Sequence, residues 1–269
     1  MKRILTAIAL VPFLILIIGF TSPLFFTMLV AVAAGLALKE FFWLAKRLGL
    51  EPQQFAGHLL SLVLIASFHF CPRSQSAALF LLVLSTCLFL GLGLSKGESL
   101  ERVLPGSSAT LLGLVYIPTT LGLLVAVRSS ATLGGDAQHW IFFFLFVVWL
   151  GDTGAYFLGR AFGRHKLAPR ISPKKTVEGA VGGLLGNVLA ALLSKKIFLP
   201  GASIFSLLVL SGIMGVASQL GDLAESALKR GAGVKDSSNL LPGHGGLLDR
   251  IDGILFAAPV LFGYTKLFL

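Results

Sequence analysis

Charge is what this sequence has least of. Only 13% of its 269 residues are Asp, Glu, Lys or Arg, against about 25% in soluble domains. With 55% hydrophobic residues and a mean hydropathy of +0.89, that deficit excludes an ordinary water-soluble globular domain. Acids are scarcer than bases, 12 against 22 Lys and Arg. Cysteine is nearly missing: Cys71 and Cys87 lie at or inside apolar segments, which excludes a disulfide framework and a thiolate metal cluster. There is no G-x-x-x-x-G-K-S/T loop, no G-x-G-x-x-G opening a helix after a strand and no H-E-x-x-H. These absences remove P-loop, dinucleotide-fold and zinc-protease readings. The first apolar run, MKRILTAIALVPFLILIIGF, is followed by TSP and not by an A-x-A cleavage site, so a retained helix is expected.

What is present is long apolar runs. A spanning helix needs roughly 20 apolar residues. Runs at 4–20, 24–45, 56–71, 77–94, 105–127, 139–159, 178–194, 203–228 and 253–269 predict an all-α, polytopic transmembrane helix bundle with about nine spans. The third and seventh runs are short. With the N-terminus cytoplasmic, the inside segments hold most of the 22 Lys and Arg, as the positive-inside rule requires. Much of the net charge of +10 is therefore topology signal, and a nucleic-acid partner is not expected. Three stretches follow: N-terminal helices at 1–104, middle helices with a basic cytoplasmic loop at 105–177, and C-terminal helices at 178–269, all in one integral membrane unit.

Two inside loops carry more charge than orientation needs. Gly159 to Thr176, GRAFGRHKLAPRISPKKT, holds six Lys or Arg and no acid; Pro169 and Pro173 break any helix there, and Ser172-Pro173 presets a turn before Lys174 and Lys175. Alone, this loop suits anionic lipid headgroups or a polyphosphate equally. The acids discriminate better. Asp152, Glu178, Asp222 and Glu225 fall in or beside apolar runs, where a charge is costly and a functional role is the default. Ser218, Asp222, Glu225, Ser226 and Lys229 follow at helical steps of three and four and share one face. A salt bridge of Glu225 with Lys229 is the plainer account of part of that face. In LPGHGGLLDRIDG, Leu241 to Gly253, the glycines expose backbone N–H groups beside Asp249 and Asp252. Acids among open backbone and basic residues suggest a hard cation bridging carboxylate and phosphate, the way Mg²⁺ is held. His244 reads as a substrate contact or loop former. The steps Gly179–Gly183 and Gly182–Gly186 read as close helix packing. An ion-coupled transporter using Asp152 and Asp222 is the rival of another class; it fits less well, because most of the charge sits in two loops on one side.

The stretch Ser226 to Asp252, SALKRGAGVKDSSNLLPGHGGLLDRID, resembles the signature of the phosphatidate cytidylyltransferase (CDP-diacylglycerol synthase) family. Ser226, Lys229, Arg230, Lys235, Asp236, His244, Gly245, Gly246, Asp249, Arg250 and Asp252 match it, and GDTGAYFLGRAFGRHKL, ISPKKTVEG and SQLGDLAES are also similar to family segments. The likeness is close over 147–253. The CDP-alcohol phosphotransferase pattern fits less well, since DGILFA from Asp252 lacks its arginine. The resemblance implies transfer of the cytidylyl group of CTP to phosphatidate, giving CDP-diacylglycerol and pyrophosphate. It implies an Mg²⁺ requirement, with Asp222 and Asp249 as paired metal ligands and a monovalent cation such as K⁺ as a further occupant. A homodimer in the bacterial inner membrane, active at its cytoplasmic face, is also implied. Asp222, Asp249, Lys229 and Arg250 are then the expected catalytic residues. Asp152, Lys166, Ser172, Lys174, Lys175, Arg230, Lys235, His244, Gly245 and Gly246 are the expected substrate-binding residues.

Overall fold

The computed structural model describes residues 12–72, 75–95, 100–238 and 245–269. The described chain is helical apart from short connections and one hairpin, as the sequence predicts. Without water, a backbone satisfies itself most simply as a helix. Seven helical segments among the described residues are long and apolar enough to cross a membrane: Pro23–Arg47, Ser76–Leu94, Leu100–Arg128, Gly134–Phe162, Val177–Ile197, Ile204–Gly231 and Leu248–Phe268. Of the expected run at 4–20, residues 12–20 are helical and the rest lies outside the described residues. The expected third span is the helix Gln54–Phe70, whose 17 residues stand at the short end of the range for a crossing.

The chain divides into two compact units. One comprises the residues up to Ser129 together with Leu228–Arg250; the other comprises Ser130–Ala227 and Ile251–Leu269. In the first unit, α1 (Pro23–Arg47) begins with Pro at its first position, where the missing N–H costs nothing. It packs with α2 (Gln54–Phe70), α4 (Leu100–Leu114) and α5 (Thr120–Arg128), while α3 (Gln75–Ser95) packs on α2 and α4. Ala34, Ala37, Leu38 and Phe42 of α1, with Leu114, Ile117 and Val125, form a fully buried centre. Between α4 and α5 lies a π-helical turn, Val115–Thr119, containing Pro118. Proline cannot donate its own bond and crowds the preceding turn. The widened turn accommodates it, and Thr119 and Thr120 hydroxyls donate to Leu114 O (2.9 Å) and Tyr116 O (2.6 Å). Arg128, at the end of α5, is 9% exposed. Its guanidinium donates to the carbonyls of Ile18 (3.1 Å) and Thr21 (2.9 Å), capping the helix at 12–20.

In the second unit, α6 (Ala137–Phe162) and α7 (Val177–Ile197) pack face to face. Glycine makes that approach, in agreement with the sequence reading. A Cβ on Gly182 would lie 2.5 Å from Leu158 Cβ and 2.7 Å from Gly154 O, and one on Gly186 would strike Leu150 O. The basic loop between the two helices is a small antiparallel hairpin, β1 (Lys166–Ala168) and β2 (Ser172–Thr176). Its turn is at 169–171, closed by Ile171 N donating to Ala168 O (3.2 Å). The expected turn at Ser172-Pro173 is strand instead, which Pro173 tolerates because each strand of a two-stranded hairpin is an edge. Thr176 ends the hairpin and caps α7, its Oγ1 accepting from Gly179 N at 3.1 Å. The helices α8 (Ile204–Gly231) and α9 (Leu248–Phe268) complete the chain.

Candidate functional site

Asp222 and Asp249, expected as paired ligands, belong to different units. In the second unit a cavity of about 420 Å³ opens between elements of α6, β2, α7 and α8. Its size is in the usual range for small-molecule sites, about 300–1,000 Å³. α6 lines it with Asp152, Tyr156 and Arg160, β2 with Lys174 and Lys175, and α8 with Gln219 and Asp222. Helical spacing produces the first set, since Asp152, Tyr156 and Arg160 are four residues apart on one face. Strand pairing brings the lysines to it. Asp222 Oδ2 receives the Lys175 ammonium at 2.6 Å, with side chains 24% (Lys175) and 44% (Asp222) exposed. Arg160 donates to Tyr156 Oη at 3.1 Å, and Gln219 Nε2 donates to Ala180 O at 3.1 Å, which fixes the side of the cavity formed by α7. Asp152 is exposed, yet what it faces is this cavity. Three cations and two carboxylates therefore share one wet recess. That combination suits a polyanion carried with a metal ion.

The hairpin is held in place by Glu178. Its carboxylate accepts from Arg164 N (3.0 Å), His165 N (3.2 Å) and His165 Nδ1 (2.6 Å). Glu178, flagged by the sequence as a costly acid, thus serves the loop's geometry. Lys166 and Ser172 belong to the same hairpin, outside the cavity lining. Glu225 is completely buried.

In the first unit the chemistry centres on Asp249, the second residue of α9. Its Oδ2 accepts from Ser237 N (3.1 Å), Ser237 Oγ (3.0 Å) and Gly246 N (2.7 Å). Oδ1 holds the Lys229 ammonium at 2.5 Å, and the side chains are only 11% (Lys229) and 8% (Asp249) exposed. Gly245, with φ +82°, gives the left-handed turn before Gly246 donates its N–H. Beside this pair stands Glu40 of α1, 5% exposed. Its Oε1 accepts from Ser238 Oγ (2.6 Å) and Leu247 N (3.0 Å), its Oε2 accepts from Leu248 N (2.8 Å), and the single Ser237 hydroxyl proton is shared between Oε2 (2.9 Å) and Asp249 Oδ2. Glu40 therefore caps the start of α9, where a carboxylate is favoured by open N–H groups and the helix dipole. Arg230 donates to Val234 O at 2.9 Å and turns the chain after α8. Arg250 is exposed on the first turn of α9. Lys235 lines a separate cavity of this unit with Lys39, Glu40 and Trp43. His244 lies outside the described residues.

No three of His, Cys, Asp and Glu converge on a metal position among the described residues. Mg²⁺ keeps waters and needs only one or two carboxylates with substrate phosphate, which is the donor chemistry that Asp152 and Asp222 offer in the cavity of the second unit. Lysine ammonium groups at Asp222 and Asp249 mark both as cation-receiving oxygens. Of the two, Asp222 has more room for another ligand.

Two contributors escape the sequence reading, Gln219 and Glu40, while Arg160 enters it only as one of the six cations of the basic loop. Gln219 carries no charge to mark it. Glu40 lies inside the expected span 24–45, so the cost of an intramembrane acid was the signal that could have found it.

Residues 1–268 match the Cytidylyltransferase family. The chain is 44% identical over 151 residues to the phosphatidate cytidylyltransferase of Staphylococcus saprophyticus, covering 56% of each chain. It is 44% identical over 158 residues to that of Bacillus subtilis, covering 58% of this chain and 57% of the relative. It is 48% identical over 126 residues to that of Staphylococcus epidermidis, covering 47% of this chain and 48% of the relative. The chain thus spans about half the length of the curated relatives it matches. With a match running nearly from end to end, the chain belongs to the cytidylyltransferase family.

Proposed function

We propose that the protein is a phosphatidate cytidylyltransferase, transferring the cytidylyl group of CTP to phosphatidate to give CDP-diacylglycerol and pyrophosphate in phospholipid biosynthesis. The observation that carries this reading is the cavity in which α6, β2 and α8 bring Asp152, Lys174, Lys175 and Asp222 together. The names of the matched relatives support it. The reactants are both anions, so their approach is the main electrostatic problem. Lys174, Lys175 and Arg160 meet the triphosphate, and Asp152 positions the nucleotide. An oxygen of the phosphatidate phosphate attacks the α-phosphorus of CTP. As that O–P bond forms, the bond from the α-phosphorus to the bridging oxygen of the β-phosphate breaks, and pyrophosphate leaves with the electron pair. No general base is needed, because a phosphate monoester is already ionised near neutrality. Asp222 and Asp249 are the carboxylates we assign to Mg²⁺, with K⁺ as a monovalent companion; when bound, Mg²⁺ supplies charge neutralisation and in-line orientation. Lys229 and Arg250 complete the proposed catalytic set, with Lys166, Ser172, Arg230, Lys235, His244, Gly245 and Gly246 on the substrates.

The proposal sets the reaction at the cytoplasmic face of the bacterial inner membrane, in a homodimer, with no nucleic-acid partner. Purified protein incubated with labelled CTP, phosphatidate and Mg²⁺ should form CDP-diacylglycerol and release pyrophosphate in equal amounts. Absence of lipid-linked label under these conditions would overturn the assignment.

A further inference from the structure

The cavity of the first unit, about 530 Å³, is separate from the acid-and-lysine recess described above. One wall is a single stripe of α1: Leu36, then Lys39 and Glu40, then Trp43. The other wall is Lys235, Asp236, Ser237 and Ser238. Lys39 is the residue that topology does not explain. It stands eight residues before Arg47, about 12 Å along the helix axis, inside an apolar helix where a cation is costly unless it faces a cavity. Lys39 and Lys235 are both exposed, and neither forms an ion pair among the described residues. Glu40 pairs with neither ammonium group, because its oxygens are held by donors of the 237–248 segment. The cavity thus carries two cations and two carboxylates, Glu40 and Asp236, with both ammonium groups outside any ion pair among the described residues.

The stripe is also graded along its length. Leu36 gives an apolar end, Lys39 a cation, and Trp43 the amphipathic ring typical of membrane interfaces. Arg47 lies over the Trp43 ring at 5.0 Å, which leaves a second cation at the far end. A ligand matching this gradient has an anionic head at the level of Lys39 and Lys235 and an apolar tail running past Leu36. Serine 237 joins the cavity wall to Asp249, since its hydroxyl lies 2.9 Å from Glu40 Oε2 and 3.0 Å from Asp249 Oδ2.

We infer that this cavity is a binding site for the phosphate-bearing head of an anionic lipid, held by Lys39 and Lys235 and flanked by Trp43. Joined to the proposed reaction, the lipid it takes is the acceptor phosphatidate; that functional part rests on the cytidylyltransferase assignment. The binding claim does not, and is tested first. In detergent-solubilised full-length protein, dioctanoyl phosphatidate should bind saturably by calorimetry, and dioctanoyl phosphatidylcholine should not. Lys39→Gln should weaken phosphatidate binding roughly tenfold, the effect of one charge-assisted hydrogen bond. Lys39→Arg should restore it, and CTP affinity should be unchanged in both, which also shows that the variants fold. In turnover, Lys39→Gln should raise KM for phosphatidate and leave KM for CTP alone. Unaltered phosphatidate binding in Lys39→Gln would overturn the site. Displacement by inorganic phosphate at the same concentration as the lipid would overturn the lipid assignment in favour of a free-anion site. Selective phosphatidate binding, sensitive to Lys39, in protein that makes no CDP-diacylglycerol would uphold the site and overturn the enzyme assignment.

Discussion

Two lysine–aspartate pairs, one in each unit, have the same chemistry and different surroundings. Lys175–Asp222 is open, with side chains 24% and 44% exposed, and it lines a cavity. Lys229–Asp249 is closed, at 11% and 8%, and three further donors from Ser237 and Gly246 fill the other aspartate oxygen. An exposed pair contributes at most about 1 kcal/mol, so Asp222 can exchange its lysine for another cation at little cost. A buried pair is different. Removing one partner strands the other charge, which costs about 3 kcal/mol or more. The sequence pointed to both aspartates for one role. The comparison gives Asp249 a second burden, holding the start of α9 to the loop before it.

The largest expected effect tests that burden. Asp249→Asn should remove most turnover and also lower stability by about 3 kcal/mol, read as thermal unfolding in detergent. A melting curve matching wild type would return Asp249 to the open class of Asp222. Next comes Asp222→Asn. It should cost several kcal/mol of transition-state stabilisation, with a rightward shift in Mg²⁺ dependence, while the stability change stays below about 1 kcal/mol. Normal turnover in this variant would remove Asp222 from the metal set.

A smaller and more selective effect is expected at Asp152. Asp152→Asn should lower kcat or raise KM for CTP and leave the Mg²⁺ dependence nearly unchanged. A large rightward Mg²⁺ shift would instead make Asp152 a direct ligand, an outcome its presence in the same cavity as Asp222 makes worth measuring. The smallest effect belongs to Lys174→Gln, roughly tenfold in KM for CTP if it supplies one charge-assisted hydrogen bond. Orientation in the membrane should not change, because other cations of the same loop remain. Unaltered kinetics would leave Lys174 with a topology role only.

Much of this was readable in the chain because the causes are local. A run such as FFFLFVVWL leaves no partner for backbone polar groups except the helix itself, so the helices and their membrane character follow from composition. The glycine steps at 179–186 announced close packing, since only the missing side chain permits it. The costly acids announced themselves by contrast with their neighbours. Asp152 and Asp222 do meet one cavity. Glu178, picked out by the same rule, turned out to secure the hairpin, because burial cost says that an acid must be satisfied and not what satisfies it.

By itself, then, the sequence determined an all-helical membrane protein of the cytidylyltransferase family and set a few acids and two basic loops apart as candidates for its chemistry. Tertiary structure alone decided which acid is open and which is closed, that the basic loop is a hairpin, and that Glu40 caps a helix 208 residues further along the chain. The reason is physical. Helix formation and membrane partition depend on neighbours within a turn or two, so periodicity and composition encode them. The environment of a carboxylate depends on donors brought from distant segments, and no local pattern records which ones will arrive.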